Sequence, residues 1–159
     1  MSLLALSVWD PYATLLAIGA KVYETRSWAP PMSVIGKRIA IHAGLSQEGL
    51  RILAADQSLQ RATWTAMHAA GRDTAQCWHP GCVLAVGTLG FQISTGSISA
   101  TVGSGVPPQE FQFGDWSPGR YAWKMMDMVA LSRPIPLIGR QGLFTVPFDI
   151  ETEISAQMP

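Results

Sequence analysis

The chain has 159 residues, 48% hydrophobic and 14% charged, which suits one domain with a real core and excludes a disordered protein. Eleven basic residues balance eleven acidic ones, so a strongly basic, duplex-coating protein is excluded at that level. No apolar run reaches the roughly 18 residues that span a bilayer, and the start, Met1-Ser2-Leu3-Leu4-Ala5-Leu6, lacks a basic leader region; the expectation is a cytoplasmic protein with no membrane partner.

Residues 3–8 read as a short buried strand. Asp10-Pro11 then opens a helix: Asp is a good N-cap, and Pro fits the first helical position, where its missing N–H is no loss. Leu15, Leu16 and Ile18 form the buried stripe, and Gly19 is placed as the left-handed residue that ends the helix. The helix is short and is expected to plug one end of a barrel and present the segment after Gly19.

That segment holds the densest chemistry in the chain. Lys21, Glu24 and Arg26 fall close together, among Tyr23 and Trp28, in a sequence otherwise poor in charge. Charge grouped this way is costly to bury unless it is paired or used, so the segment is expected to floor a polar cleft. Lys21 lies at the turn. Residues 22–28 read as a strand with Glu24, Arg26 and Trp28 on one face and Tyr23, Thr25 and Ser27 on the other.

Ala29-Pro30-Pro31 ends that strand, and Gly36-Lys37-Arg38 makes a basic turn into a buried strand over 39–43. His42 reads either as a core-edge histidine with a satisfied hydrogen bond or as a cleft-lining one. Two helices are predicted over 46–57 and 58–70, capped by Ser46 and Ser58. Leu50, Leu53 and Ala54, then Leu59, Ala62, Ala66, Met67 and Ala70, recur at helical spacing. Residues 72–81 form a loop. In the expected cytoplasm Cys77 and Cys82 read as reduced thiols; with His79 and His68 they match no strong zinc spacing, and no metal or cofactor is expected.

Residues 82–93 read as a central strand, with bends or bulges at Gly87 and Gly90. The uncharged Ser/Gly/Thr stretch 94–108 reads as a flexible surface insertion. Pro118-Gly119 is the signature of a type II turn, which projects Arg120 and Tyr121 at the start of a strand over 122–131. There Trp123, Met125, Val129 and Leu131 point inward and Lys124 outward. Residues 132–136 read as a proline-broken connection, Gly139-Arg140-Gln141-Gly142 as a turn, and 143–148 as the last strand. One domain over 1–148 is therefore expected, with a polar tail, 149–159, that frays. Asp149, Glu151 and Glu153 lie in that tail, which leaves eleven basic against eight acidic groups before it. A locally basic cleft is compatible with zero net charge.

Trp9-Asp10-Pro11-Tyr12-Ala13, then Gly19-Ala20-Lys21 running into Glu24-Thr25-Arg26-Ser27-Trp28, resembles the activating-signal-cointegrator homology (ASCH) domain. The family pattern is a G-x-K-x-x-E-x-R core after a W-x-P-W-A opening, and only Tyr12 departs, conservatively. Ile39 to Ala43, Pro80-Gly81-Cys82 and the closing Arg140-Gln141-Gly142-Leu143-Phe144 also resemble the family, so the likeness runs from residue 3 to about 148. It implies an α+β fold: a small mixed β-barrel of the pseudouridine-synthase-and-archaeosine-transglycosylase (PUA) type, with short helices packed around it. It also implies a cleft beside the first helix and an association with RNA or other nucleic acid. Some small relatives hydrolyse the amide of N4-acetylcytidine, and nuclease activity has been proposed for others.

The residues are compatible with three readings. In the first, the cleft binds a nucleotide or single-stranded RNA, with Lys21, Arg26, Lys37, Arg38, Arg120 and Arg140 available to phosphates. Trp9, Trp28, Tyr121 and Tyr12 are available to bases, and Ser117 and Gln141 supply polar contacts. The competing structural reading makes Trp9 and Trp123 core and lets Arg26 simply pair with Glu24. The second is an amidohydrolase acting on an acylated cytidine, in which Lys21 matches the catalytic lysine of those relatives. They carry a threonine three residues later, where this chain has Glu24; Glu24 can then take a general acid/base role, and Asp115 is the candidate second carboxylate. The third is a ribonuclease using Lys21, His42 or Tyr121. No carboxylate cluster supports metal-dependent cleavage.

Overall fold

The computed structural model describes residues 2–72, 77–97 and 105–159. In chain order the elements are β1 (Leu4–Val8), α1 (Tyr12–Ala17), β2 (Tyr23–Arg26), β3 (Arg38–Ala43), α2 (Glu48–Ala55), α3 (Gln57–Ala69), β4 (Cys82–Ser94), β5 (Tyr121–Pro136), β6 (Leu143–Thr145) and α4 (Phe148–Ser155). The strands form one mixed sheet in the order β2-β5-β4-β3-β1-β6. Among the described residues only β1 and β3 pair in parallel; the other pairs are antiparallel. The sheet curls into a half-barrel with the helices around it, an α+β architecture. No helix among the described residues is long and apolar enough to cross a membrane.

Period-two alternation sends neighbouring residues to opposite faces of the sheet. Leu6 and Val8 of β1, Ile39 and Ile41 of β3 and Trp123 of β5 face the concave side, where Leu16 of α1 plugs the half-barrel. Ala5, Ala40, Val86 and Phe144 face the convex side under Ile154 of α4. A third cluster seats α2 and α3 against α1 through Leu15, Leu53, Leu59 and Phe113. α2 comes so close to the β1–α1 connection that a Cβ on Gly49 would run into the Asp10 carbonyl.

The bulges expected at Gly87 and Gly90 are present as register shifts between Val86 and Thr88 and between Leu89 and Phe91. At both positions a Cβ would strike a methionine of β5, Met128 or Met126. Other expectations need correction. β5 does not stop at Leu131 but runs through Pro134 to Pro136. β2 covers only residues 121–124 of β5, so the later part of β5 has one open side, where a missing N–H costs no ladder bond. Asp56, not Ser58, caps α3 by accepting a 3.0 Å hydrogen bond from the Leu59 amide. Ser46 accepts from the Glu48 amide at 3.3 Å, although the N-cap position of α2 is Gln47. The tail expected to fray contains α4. Ile150, Ile154 and Met158 recur at helical spacing against the convex face, and Gln157 bonds to Ser132 and to the Arg133 backbone. Residues 98–104 of the expected insertion lie outside the described residues.

Candidate functional site

The site begins where α1 ends. Gly19 has φ +77°, its N–H bonds to the Leu16 carbonyl, and the N–H groups of Ala20 and Lys21 both reach the Leu15 carbonyl at 3.0 Å. This is a Schellman ending, which favours glycine at the left-handed position. It reverses the chain and turns the Lys21 side chain inward. Lys21 is 2% exposed. Its Nζ donates to the Phe113 carbonyl at 2.5 Å and lies 5.7 Å from the centre of the Tyr12 ring.

Glu24 and Arg26 come next on β2, on one face as expected. Glu24 Oε2 is 3.9 Å from Lys21 Nζ, and Glu24 Oε1 is 3.8 Å from Arg26 Nη1. Both are ion-pair distances, too long for hydrogen bonds. Glu24 is 7% exposed, and its Oε2 accepts no hydrogen bond among the described residues. Arg26 donates to the Ser7 carbonyl at 3.4 Å, and its guanidinium lies 5.8 Å from the centre of the Trp28 ring. Trp28 meets the buried Trp123 edge-on at 4.7 Å.

A distant segment completes this floor. The Glu110 carboxylate accepts from the amides of Val22 and Tyr23, which clamps residues 108–113 against the Lys21 turn. Gly114 approaches so closely that a Cβ there would lie 2.9 Å from Thr25 Oγ1 and 3.3 Å from Lys21 Nζ. Arg120 is held by the Thr25 carbonyl at 3.1 Å, by the Asp115 carbonyl at 3.0 Å and by the Asp115 carboxylate at 3.6 Å.

Burial pushes the Lys21 ammonium below its ordinary value, while Glu24 and Glu110 pull it back up. Burial also raises the Glu110 carboxyl, against Lys21 and the two amides. Tyr12 is raised by burial and then by Glu24. The exposed Asp115 is lowered by the hydroxyl and amide of Ser117.

Two surface chambers share part of their lining here. An inner one of about 440 Å³ is lined by Lys21, Glu24, Tyr12 and Arg120, together with Trp9, Arg26 and Trp28. An outer one of about 940 Å³ is lined by Arg140, Gln141, Ser7 and His42, and again by Trp9, Arg26 and Trp28. Trp9 is 45% exposed, so of the two tryptophans in the structural reading only Trp123 is core. His42 is 1% exposed and also lines the outer chamber. Its Nε2 lies 2.8 Å from the Leu137 carbonyl, which can only accept. The proton therefore sits on Nε2, and Nδ1 accepts from the Ser7 hydroxyl at 3.0 Å. Burial lowers the ring's pKa.

Eleven of the predicted site residues line one chamber or both: Lys21, Glu24, Arg26, Trp28, Trp9, Tyr12, Asp115 and Arg120 the inner, and His42, Arg140 and Gln141 the outer. Ser117 and Tyr121 line neither. Ser117 donates to Asp115, and Tyr121 pairs with Arg26 in the ladder. Lys37 and Arg38 line a separate hollow of about 520 Å³ near α4. Sequence reasoning missed Glu110, the Phe113 carbonyl, Ser7 and the rim residues Leu45 and Ile138. Glu110 alone carried a signal, as the one charge in the stretch 94–113.

Residues 6–79 match the family model of the ASCH domain. Across 98% of this chain and 94% of its own length, the ASCH protein of Zymomonas mobilis superposes with a TM-score of 0.55 at 14% identity. A tyrosine-to-phenylalanine variant of that protein gives 0.55 at 15% identity, covering 98% of each chain. A serine-to-alanine variant gives 0.54 at 16%, over 98% of this chain and 95% of that one. Among curated proteins none matches in sequence. The resemblance to the ASCH domain is thereby borne out, and the half-barrel is the ASCH, PUA-like fold.

Proposed function

We propose, starting from an ASCH domain match over residues 6–79 on an ASCH fold, that this protein binds a nucleotide or single-stranded RNA in the cleft built on Lys21, Glu24 and Arg26. The observation that carries this reading is the Glu24 carboxylate, which lines the chamber between Lys21 and Arg26 and whose Oε2 accepts no hydrogen bond among the described residues. Lys21 and Arg26 flank the carboxylate, so its charge is tolerated. An entering base edge rich in N–H groups offers donors to this carboxylate. Trp9 and Trp28 offer the ring faces on which a base stacks, and Arg26 offers a cation to the adjoining phosphate. Zero net charge on the whole chain favours a short strand over a long duplex, whose affinity depends on many phosphate contacts.

Glu24→Gln tests the reading, because it keeps the shape and removes the charge. Titration with short single-stranded RNAs, monitored by tryptophan fluorescence, is expected to show affinity falling about tenfold or more, as for a lost hydrogen bond to a charged group. Unchanged affinity in the variant, or no binding by the parent protein, overturns it.

The depressed pKa of Lys21 favours a second reading, hydrolysis of an acylated cytidine. A lysine that loses its proton more readily can serve as base or nucleophile. Against this, its Nζ already donates to Phe113 and faces Glu24. Incubation with N4-acetylcytidine separates the two readings. Release of acetate by the parent, lost in Lys21→Met with substrate affinity kept, supports hydrolysis; no release leaves binding. Ribonuclease chemistry has less support, since both ring nitrogens of His42 are engaged and Tyr121 lies outside both chambers.

A further inference from the structure

We propose that the outer chamber is a subsite for a second nucleotide, so that the unit this protein reads is a two-nucleotide step of single-stranded RNA and not a lone nucleoside. The inference rests on the nucleotide reading of the inner chamber and adds the neighbour.

Five observations carry it. The two chambers share Trp9, Arg26 and Trp28 in their lining. The cation among them, Arg26, is held over the Trp28 ring and against the Ser7 carbonyl. A strand crossing from one chamber to the other carries one phosphodiester past this shared lining, where that guanidinium lies. The outer chamber also has the right electrostatics, since Arg26 and Arg140 line it and, among the described residues, no aspartate or glutamate does.

Its rim is apolar as well as cationic. Trp9, Leu45 and Ile138 are 45%, 76% and 91% exposed and stand at the chamber wall. A phosphate alone has no use for such a rim, whereas the flat face of a base does. Finally, the wall is preformed. The Ser7 hydroxyl and the Leu137 carbonyl fix the His42 ring from both sides. The Leu137 amide bonds to the Gly81 carbonyl at 2.9 Å, and Gly139 lies so near the imidazole that a Cβ would collide with it. At about 940 Å³ this chamber is within the range of small-ligand sites and twice the size of the inner one.

The test is a length series at fixed salt. Adenylate, cytidylate, guanylate and uridylate are each titrated as mononucleotide, dinucleotide, trinucleotide and tetranucleotide, with calorimetry as readout. The expected result for the preferred base is a rise in affinity of about tenfold or more from one nucleotide to two, the scale of one added stacked base, with little gain beyond. Arg140→Ala and Leu45→Ser, both exposed positions, are expected to bring the dinucleotide-to-mononucleotide ratio toward one. Mononucleotide binding with no gain from the second nucleotide overturns the subsite and leaves the inner-chamber reading standing. An even gain with every added nucleotide, unaffected by Arg140→Ala, overturns it in favour of diffuse electrostatic attraction. No binding at any length overturns this inference and the reading it rests on together.

Discussion

The buried charges predict a measurable coupling between Lys21 and Glu24. Their closest N···O distance is 3.9 Å, with side chains 1% and 9% exposed. At an effective dielectric of about 20, two unit charges at that separation attract by about 4 kcal/mol. Glu24 divides its charge between Lys21 and Arg26, and both groups are costly to desolvate, so the net coupling is smaller: about 1–3 kcal/mol, as for contacting residues in one polar network. Removing either partner alone leaves a buried charge short of compensation and is expected to cost about 3 kcal/mol or more. Lys21→Met and Glu24→Gln together remove the problem and should cost less than the sum. The assay is a double-mutant cycle by urea unfolding at neutral pH, with the variants' midpoints and slopes fitted separately. Burial lowers the Lys21 pKa, so in the window below the ordinary value of 10.5 the ammonium is lost earlier than in a solvated lysine. The coupling should therefore shrink when the cycle is repeated in mild alkali. Additivity within about 0.5 kcal/mol at neutral pH would refute the reasoning, because it would mean the two charges do not share a site.

Other predictions concern the walls. His42 has a folded-state pKa below its ordinary 6.5 through burial, so the unfolded chain binds the proton more readily. The stability contributed by the neutral ring is complete above that value and is lost as pH falls from it toward the depressed one. Asp10 and Glu110, raised by burial, act in the opposite sense. The readout is therefore the difference between parent and His42→Gln in urea unfolding from pH 7 to 5, and the parent should lose stability relative to the variant as pH falls. Gly139→Ala, whose Cβ would press on the His42 ring, is expected to cost about 1–3 kcal/mol and to lower dinucleotide affinity; a neutral effect on both would mean the wall yields easily. Ile154→Ala, at a position 2% exposed on α4, should cost about 2–3 kcal/mol. A change within experimental error would show that the helix adds nothing to the fold's stability.

Local chemistry was legible in the sequence. Gly19 announced the end of α1, Gly87 and Gly90 announced the bulges, and the spacing of Glu24, Arg26 and Trp28 placed them on one face, because each depends on residues only a few positions apart. Whatever depends on partners far along the chain was not. Lys21 finds its acceptor at Phe113, and Val22 and Tyr23 find theirs at Glu110; separations near ninety residues leave no periodic trace. The prolines at 134 and 136 read as breakers because their tolerance depends on the shortness of β2, a tertiary fact. The tail read as polar because its three acids outweighed the sparse apolar stripe Ile150, Ile154 and Met158, which becomes a helix face only when the convex sheet is there to receive it. The resemblance supplied the cleft and its first floor residues. It could not show a second chamber, since Leu45, His42 and Ile138 reach it from separate parts of the chain.

Stacking of an RNA base on Trp9 and Trp28 is directly observable through the indole N–H resonances of the six tryptophans. Titration of the isotope-labelled protein with a short single-stranded RNA should move the Trp9 and Trp28 signals saturably. Trp64 and Trp78, which pack near each other at 5.9 Å in the helical cluster, should stay still. Movement confined to Trp64, Trp78 or Trp116, or no movement at concentrations where binding is seen by calorimetry, would place the ligand elsewhere and contradict the account.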